Sequence, residues 1–328
     1  MRVIVRTPCR LHFALMDLNG ELGRADGSLG VAIDKPNVIL EARSHSDLKV
    51  TGERSDFIEH LALKFMRHHG ISSGALIEVK SMIPGHVGLG SSTQSSLAVA
   101  SALTRIHRLN ESTRELAGTM GRGGTSGIGV AAFERGGLIL DGGHSFGHGK
   151  EKQTFLPSRA SKARPPPVVA RYDFPLDWIF VVAIPTVTKG AHGQDEVKIF
   201  QERCPISPEK VAETCRVIVM KILPALVEED IVEFGEGLNR LQEVGFAAAT
   251  KDLVNPIVLE CMEFVRASGG YAAGQSSFGP ATFGLARGEE QAARLQKRVQ
   301  EFLDQKVGGT TFRTKANNVG ATITCLGG

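Results

Sequence analysis

Apolar and polar positions alternate along residues 2–43. Val3 and Val5, then Leu11, Phe13 and Leu15, then Val31 and Ile33, then Val38 and Leu40 fall on one face of successive runs. A period of two predicts strands, and four in succession read as a meander. The period lengthens over residues 56–69, where Phe57, Leu61 and Phe65 recur every four positions. That spacing predicts an amphipathic helix ended by Gly70, and His68 and His69 suit the dipole of its last turn. Alternation returns over residues 75–80, a strand, and Leu97, Ala98, Ala100, Ala102 and Leu103 suit a buried helix.

Between that strand and that helix lies PGHVGLGSSTQSSL, residues 84–97. Glycines at 85, 88 and 90 let backbone approach a ligand, and Ser91, Ser92 and Thr93 place hydroxyls where the first helical N–H groups lack partners. A helix start of this kind suits phosphate, and the organisation of the chain centres on it.

Farther along, Ser112 and Glu115 predict a capping box on a helix over residues 112–120. A second glycine-rich turn, GRGGTSGIG at 121–129, leads into apolar 130–133. A strand at 137–141 then ends in Asp141, Gly142, Gly143 and His144, well placed for chemistry. Residues 145–172 are basic and aperiodic and include three consecutive prolines, which predicts an extended linker and a domain boundary. A buried strand over 178–184 opens the second half. The loop after it carries Lys189, Gly190, His192, Gln194, Asp195 and Glu196. Pro208 starts a helix with Val211, Cys215, Ile218, Val219 and Ile222 along one side, which Pro224 bends or ends. Helices over about 231–249 and 254–267, a strand–turn–strand over 270–285, a helix over 289–305 and strands near 310–313 and 321–325 complete the chain.

Composition narrows the classes. Net charge is +3 over 328 residues, which leaves no nucleic-acid footprint, and no apolar run reaches membrane-span length. Cytoplasmic location is the expectation. Five scattered cysteines without CxxC spacing argue against disulfides and structural zinc. Within the first long connection, Arg10, His12, Asp17, Asn19, Arg24 and Asp26 mix phosphate-binding cations with carboxylates suited to a metal or a sugar hydroxyl.

The stretches PGHVGLGSSTQ, GGTSGIG and AGQSSFGPATFGL resemble the three motifs of the GHMP small-molecule kinase superfamily, over nearly the whole chain. The resemblance implies an α+β fold in two domains. The first, residues 1–165, is ribosomal protein S5 domain 2-like and binds phosphate; the second, 166–328, is ferredoxin-like; the ligand lies between them. An ATP-dependent small-molecule kinase is one reading. In many such kinases the stretch similar to 126–129 reads SGID, and its aspartate assists deprotonation of the attacking hydroxyl; here Gly129 stands in that place. A positioned base is worth roughly 10²–10⁴ in rate.

TPCRLHFALMDLNGELGRADGSLGVAI, GLGSSTQ, GRGGTSGIGVAAFERGGLILDGGH and GQSSFGP are similar to the β-ribofuranosylaminobenzene 5′-phosphate synthase family. This implies condensation of phosphoribosyl pyrophosphate with 4-aminobenzoate or 4-hydroxybenzoate, releasing carbon dioxide and pyrophosphate, in methanopterin biosynthesis. Mg²⁺ and a homodimer are implied with it. On this sequence, Gly88, Gly90, Ser91, Ser92 and Thr93 would cradle pyrophosphate, and Arg10, Arg24 and Lys189 would neutralise phosphate charge. Asp17 and Asp26 are candidates for Mg²⁺ or the ribose. Gln94, His144, Gln275 and Ser276 would bind and orient the benzoate or the ribose hydroxyls. The expected catalytic group is Asp17, Arg24, Asp26 and His144.

Overall fold

The structure, a computed structural model, describes residues 1–187 and 194–327. The first four strands form where alternation predicts them: β1 (Arg2–Arg6), β2 (Cys9–Asp17), β3 (Arg24–Ile33) and β4 (Ile39–His45). They are not a meander. β1 pairs with β4 and β2 with β3, so the chain supplies two different sheets at once. Then come β5 (Lys49–Gly52), α1 (Ser55–His69) and β6 (Gly74–Ser81). Gly70 ends α1 in the left-handed region at φ 62°, as its position predicts.

Helix α2 (Ser91–Ile106) is buried on nearly every face. Its small residues let it pack between β1 and β4 on one side and α1, α3 (Thr113–Thr119) and α4 (Ile128–Arg135) around it. Ser112 and Glu115 form the expected capping box on α3. β7 (Leu138–Asp141), β8 (His144–Ser145) and β9 (Val168–Tyr172) follow.

The second half runs β10 (Trp178–Pro185), α5 (Gln194–Arg203), α6 (Pro208–Val217), a π-helical turn over Ile218–Ile222, α7 (Leu223–Val227), α8 (Ile231–Leu241), α9 (Gly245–Ala249), α10 (Pro256–Ala267), β11 (Ala272–Gln275), β12 (Thr282–Arg287), α11 (Gly288–Lys306), β13 (Gly309–Lys315) and β14 (Thr322–Leu326). The π-helical turn widens the period beyond 3.6. Val219 therefore points outward at 49% exposure while Ile218 and Ile222 are buried, correcting the predicted stripe. The helix expected over 231–249 is two, because the first ends at Leu241 and Val244 turns extended, at φ −124° and ψ 169°, before the second begins at Gly245.

Three sheets result. One runs β14-β1-β4-β6-β5, one β2-β3-β7-β9 with β8 on β3, and one β11-β12-β10-β13. The last is antiparallel, with its strands entering in the order second, third, first, fourth, the ferredoxin-like topology. β9 adds to β7, and β14 returns to pair with β1, so two strands from beyond residue 165 complete the sheets of the first half. Phe13 on β2 lies 5.1 Å from Phe283 and 6.3 Å from Phe180, ring centroid to centroid, which joins the halves through one aromatic core.

The linker expected over 145–172 is instead docked against the fold. Lys152 is buried against Asp26, His144 Nε2 meets the Arg164 carbonyl at 2.9 Å, and Arg114 donates to the carbonyls of Pro165 and Pro166. Lys152 is the basic side chain of the segment that anchors it, and His144 and Arg114 hold its backbone from outside.

Candidate functional site

Three glycine-rich turns meet around one cavity of about 230 Å³. The first turn ends on Gly90, whose φ of 81° lets the chain reverse into α2 so that the unpaired N–H groups of the first helical turn open towards the cavity. Ser92 and Thr93 line it. Ser91 does not present its hydroxyl to a ligand; it donates to the Ile83 carbonyl at 2.9 Å and holds the turn shut.

The third turn is clamped onto the first. The Gly88 carbonyl accepts from Arg10 and, at 2.7 Å, from Ser276 Oγ, while Ser276 Oγ accepts from the His12 amide at 3.0 Å. Gly88 has φ 96°, and a Cβ there would run into the Ser276 carbonyl. Ser276 is fully buried, so it orders the loops; it does not face a substrate. Gln275 likewise spends its amide N–H on Gln242 at 3.0 Å and its side-chain N–H on the Gly279 carbonyl at 2.8 Å.

The second turn faces α2. Gln94 donates to the Gly129 carbonyl at 2.7 Å, leaving its own Oε1 buried without a partner among the described residues. A Cβ on Gly129 would stand 3.2 Å from the Thr93 side chain, so the place where kinases of the resembled superfamily carry aspartate lies directly against the start of α2. Behind this turn, Asp141 is buried and accepts from Ser28, from the Gly127 amide at 2.8 Å and from the Gly143 amide at 3.0 Å. Burial raises its carboxyl to about 6, against the opposing pull of those hydrogen bonds and of His144.

The charge on the cavity wall is one-sided. Arg10, Arg122 and Arg159 line it. Burial lowers Arg10 to about 10, and Arg122 is lowered by burial and then by Arg159. Among the described residues Glu196 is the one carboxylate on this wall, and it has an interaction of its own. Burial, then Arg10, lowers His12 to about 3, so its ring is neutral. The His12–Leu15 and Ser277–Gly279 walls also bound a second cavity of about 380 Å³, lined by Phe13, Leu15, Phe246, Met262 and Phe278. A cavity walled by three arginines thus adjoins one lined by aromatic and aliphatic side chains together with Glu243, Lys251, Glu263 and Arg266.

The remaining expected residues lie elsewhere. His144 Nδ1 is 2.6 Å from Asp26, and both Asp26 oxygens accept from Lys152, at 3.0 and 2.7 Å; all three side chains are buried away from the cavity. Asp17 accepts from the Asn19 and Gly20 amides and shapes its own turn. Arg24 donates to the carbonyls of Gly142 and Gly143. Among the described residues no three His, Cys, Asp or Glu side chains converge as metal ligands, and the commitments of Asp17 and Asp26 do not fit the Mg²⁺ role expected of them. Lys189 lies outside the described residues. Sequence reasoning missed Arg122, Arg159 and Lys152, and it marked Asp141 only as well placed at a strand end. Arg122 sat in plain view in the second turn, whereas Arg159 and Lys152 were hidden by the linker reading.

Comparison with known proteins agrees with this geometry. The family described as GHMP kinases N terminal domain matches residues 56–137, and that described as GHMP kinases C terminal matches 222–305. A β-ribofuranosylphenol 5′-phosphate synthase of Archaeoglobus fulgidus is 43% identical over 97% of this chain and 98% of its own length. One from Methanothermobacter thermautotrophicus is 40% identical over 98% of each chain. Among solved structures, homoserine kinase from Cytophaga hutchinsonii superposes with TM-score 0.68 at 18% identity, over 98% of this chain and 97% of that one. Mevalonate pyrophosphate decarboxylase from Streptococcus pyogenes gives 0.66 at 13% identity, over 97% and 98%.

Proposed function

The chain belongs to the β-ribofuranosylphenol 5′-phosphate synthase family, built on the GHMP kinase N- and C-terminal domains, and on that premise we propose that it joins phosphoribosyl pyrophosphate to a 4-substituted benzoate with loss of carbon dioxide and pyrophosphate. The observation that supports the reading is the pairing of the two cavities, one walled by Arg10, Arg122 and Arg159 and the other presenting Phe13, Leu15, Phe246, Met262 and Phe278. The relatives' names specify a phenol, which favours 4-hydroxybenzoate over 4-aminobenzoate as acceptor.

In this reaction the bond from ribose C1 to the diphosphate oxygen breaks, and C1 becomes oxocarbenium-like. The ring carbon bearing the carboxylate attacks, forming the C–C bond, and the C–CO₂ bond then breaks to restore aromaticity. The α2 start with Ser92 and Thr93, together with Arg10, would take the charge that develops on the departing diphosphate. Such a step needs no base on an acceptor hydroxyl at residue 129, which accommodates Gly129. The neutral His12 ring, on the wall common to both cavities, adds no positive charge beside the oxocarbenium. Magnesium belongs to this reading as the companion of the donor's diphosphate, with no protein ligands assigned to it. A homodimer comes with the family resemblance alone, and a cytoplasmic location is the reading of the composition.

The kinase reading shares the fold and is opposed by Gly129. Incubating the protein with Mg²⁺, phosphoribosyl pyrophosphate and carboxyl-labelled 4-hydroxybenzoate, then 4-aminobenzoate, separates the two. Labelled carbon dioxide is the expected product. No release from either acceptor, with ADP formed from ATP and a small alcohol, would overturn the proposal.

A further inference from the structure

The cations of the anion cavity fall into two groups. Arg10 stands on β2 at the clamp between the first and third turns. Arg122 stands on the second turn, its Nε donating to Ser96 Oγ at 3.2 Å, and Arg159 on the docked segment, on a turn closed by the Ala160 and Ser161 amides on the Pro157 carbonyl at 2.9 and 3.1 Å. The groups are held at different places on the wall, Arg10 by the Gly88 carbonyl and Arg122 by the Ser96 hydroxyl on α2.

Arg122 and Arg159 line one cavity in which Glu196 is the one carboxylate among the described residues, so the wall carries more positive than negative charge and is an arrangement that an anion stabilises. The rest of the segment is arranged to keep Arg159 there. Lys152 ties the strand before it to Asp26, and His144 and Arg114 hold the carbonyls that follow it. A docked segment with three separate anchors presents its arginine at a defined place.

We propose that Arg122 and Arg159 form a second phosphate subsite, for a monophosphate ester on the sugar, separate from the diphosphate seat at Arg10 and the start of α2. The inference rests on the donor assigned above and sharpens it. Phosphoribosyl pyrophosphate carries anions on both C1 and C5 of its ribose, so it needs cations in two places. A nucleoside triphosphate carries all its phosphates at one end and an uncharged base at the other. The second cation group therefore selects the doubly anionic donor.

Calorimetric titration of the full-length protein with ribose 5-phosphate and, separately, with pyrophosphate tests the division without requiring turnover. Arg122→Gln and Arg159→Gln should each weaken ribose 5-phosphate by at least about tenfold, the loss of one charge-assisted hydrogen bond, and change pyrophosphate by less than about threefold. Ser92→Ala should do the reverse. Arg159 is exposed, so its variant keeps the fold even if Arg122→Gln does not. Equal losses for both ligands, or unchanged ribose 5-phosphate affinity in Arg159→Gln, would overturn the subsite, as would wild-type protein that binds pyrophosphate and not ribose 5-phosphate. Selective losses without carbon dioxide release in the turnover assay would leave the subsite standing and sink the acceptor chemistry instead.

Discussion

Replacing Lys152 by methionine removes one charge from the buried group that pins the docked segment. The side chains of Lys152 and Asp26 are 3% and 0% exposed, and the ammonium contacts both carboxylate oxygens at 3.0 and 2.7 Å. Methionine keeps most of the aliphatic stem, so packing changes little and the electrostatic loss dominates. Breaking a buried pair by removing one partner costs about 3–5 kcal/mol, because the remaining charge is left without compensation. His144 Nδ1, at 2.6 Å, still faces one Asp26 oxygen and places the expected cost at the lower end, about 3 kcal/mol. For a chain of 328 residues that corresponds to a Tm lower by roughly 4 °C. Urea unfolding followed by circular dichroism measures it, with Asp26→Asn and the double variant completing a cycle. The double variant should be more stable than the sum of the single losses predicts, by about 1–3 kcal/mol. A loss below about 1 kcal/mol in Lys152→Met, or strict additivity, would refute the assignment of this pair as the anchor. Because Arg159 rides on the same segment, ribose 5-phosphate affinity should fall in Lys152→Met while pyrophosphate affinity holds.

Two further outcomes are expected. Asp141, with its carboxyl raised to about 6 by burial, keeps its proton in the fold after the unfolded chain has lost it near 4, so the unfolded state binds fewer protons in between and stability falls as pH rises from 4 to 7. That contribution is about 3 kcal/mol, and it should be absent from the pH dependence of Tm in Asp141→Asn; parallel wild-type and variant curves would remove the buried carboxyl from the account. Gly129→Asp should not create a kinase. It places a carboxylate against Thr93 in the cavity that holds the donor's anions, so pyrophosphate affinity should drop by tenfold or more with no ADP formed from ATP, and unchanged affinity in a titration would count against the position of the diphosphate seat.

The sequence by itself determined the local elements and the chemistry of the turns. Alternation over residues 2–43 put β1 to β4 in place, a four-residue spacing put α1 in place, and Ser112 with Glu115 capped α3, because side-chain period and capping act between near neighbours. Glycines 88 and 90 announced a backbone with positive φ beside a helix start, and that is how they are used. Only the tertiary structure decided which polar side chains face the ligand and which face one another. Ser276 and Gly88 are 188 positions apart, and Lys152 and Asp26 are 126 apart. No periodicity links residues so distant; they meet because strands join different sheets and bring loop ends together. Asp26 and His144 have the composition of a catalytic pair, and burial beside Lys152 makes them a brace. Arg159 has the composition of a linker, and the brace makes it a wall of the cavity. A charged side chain is neutralised by whatever stands within a few ångströms of it, and that distance is set by the fold, whereas hydrophobic period and turn geometry are written locally along the chain.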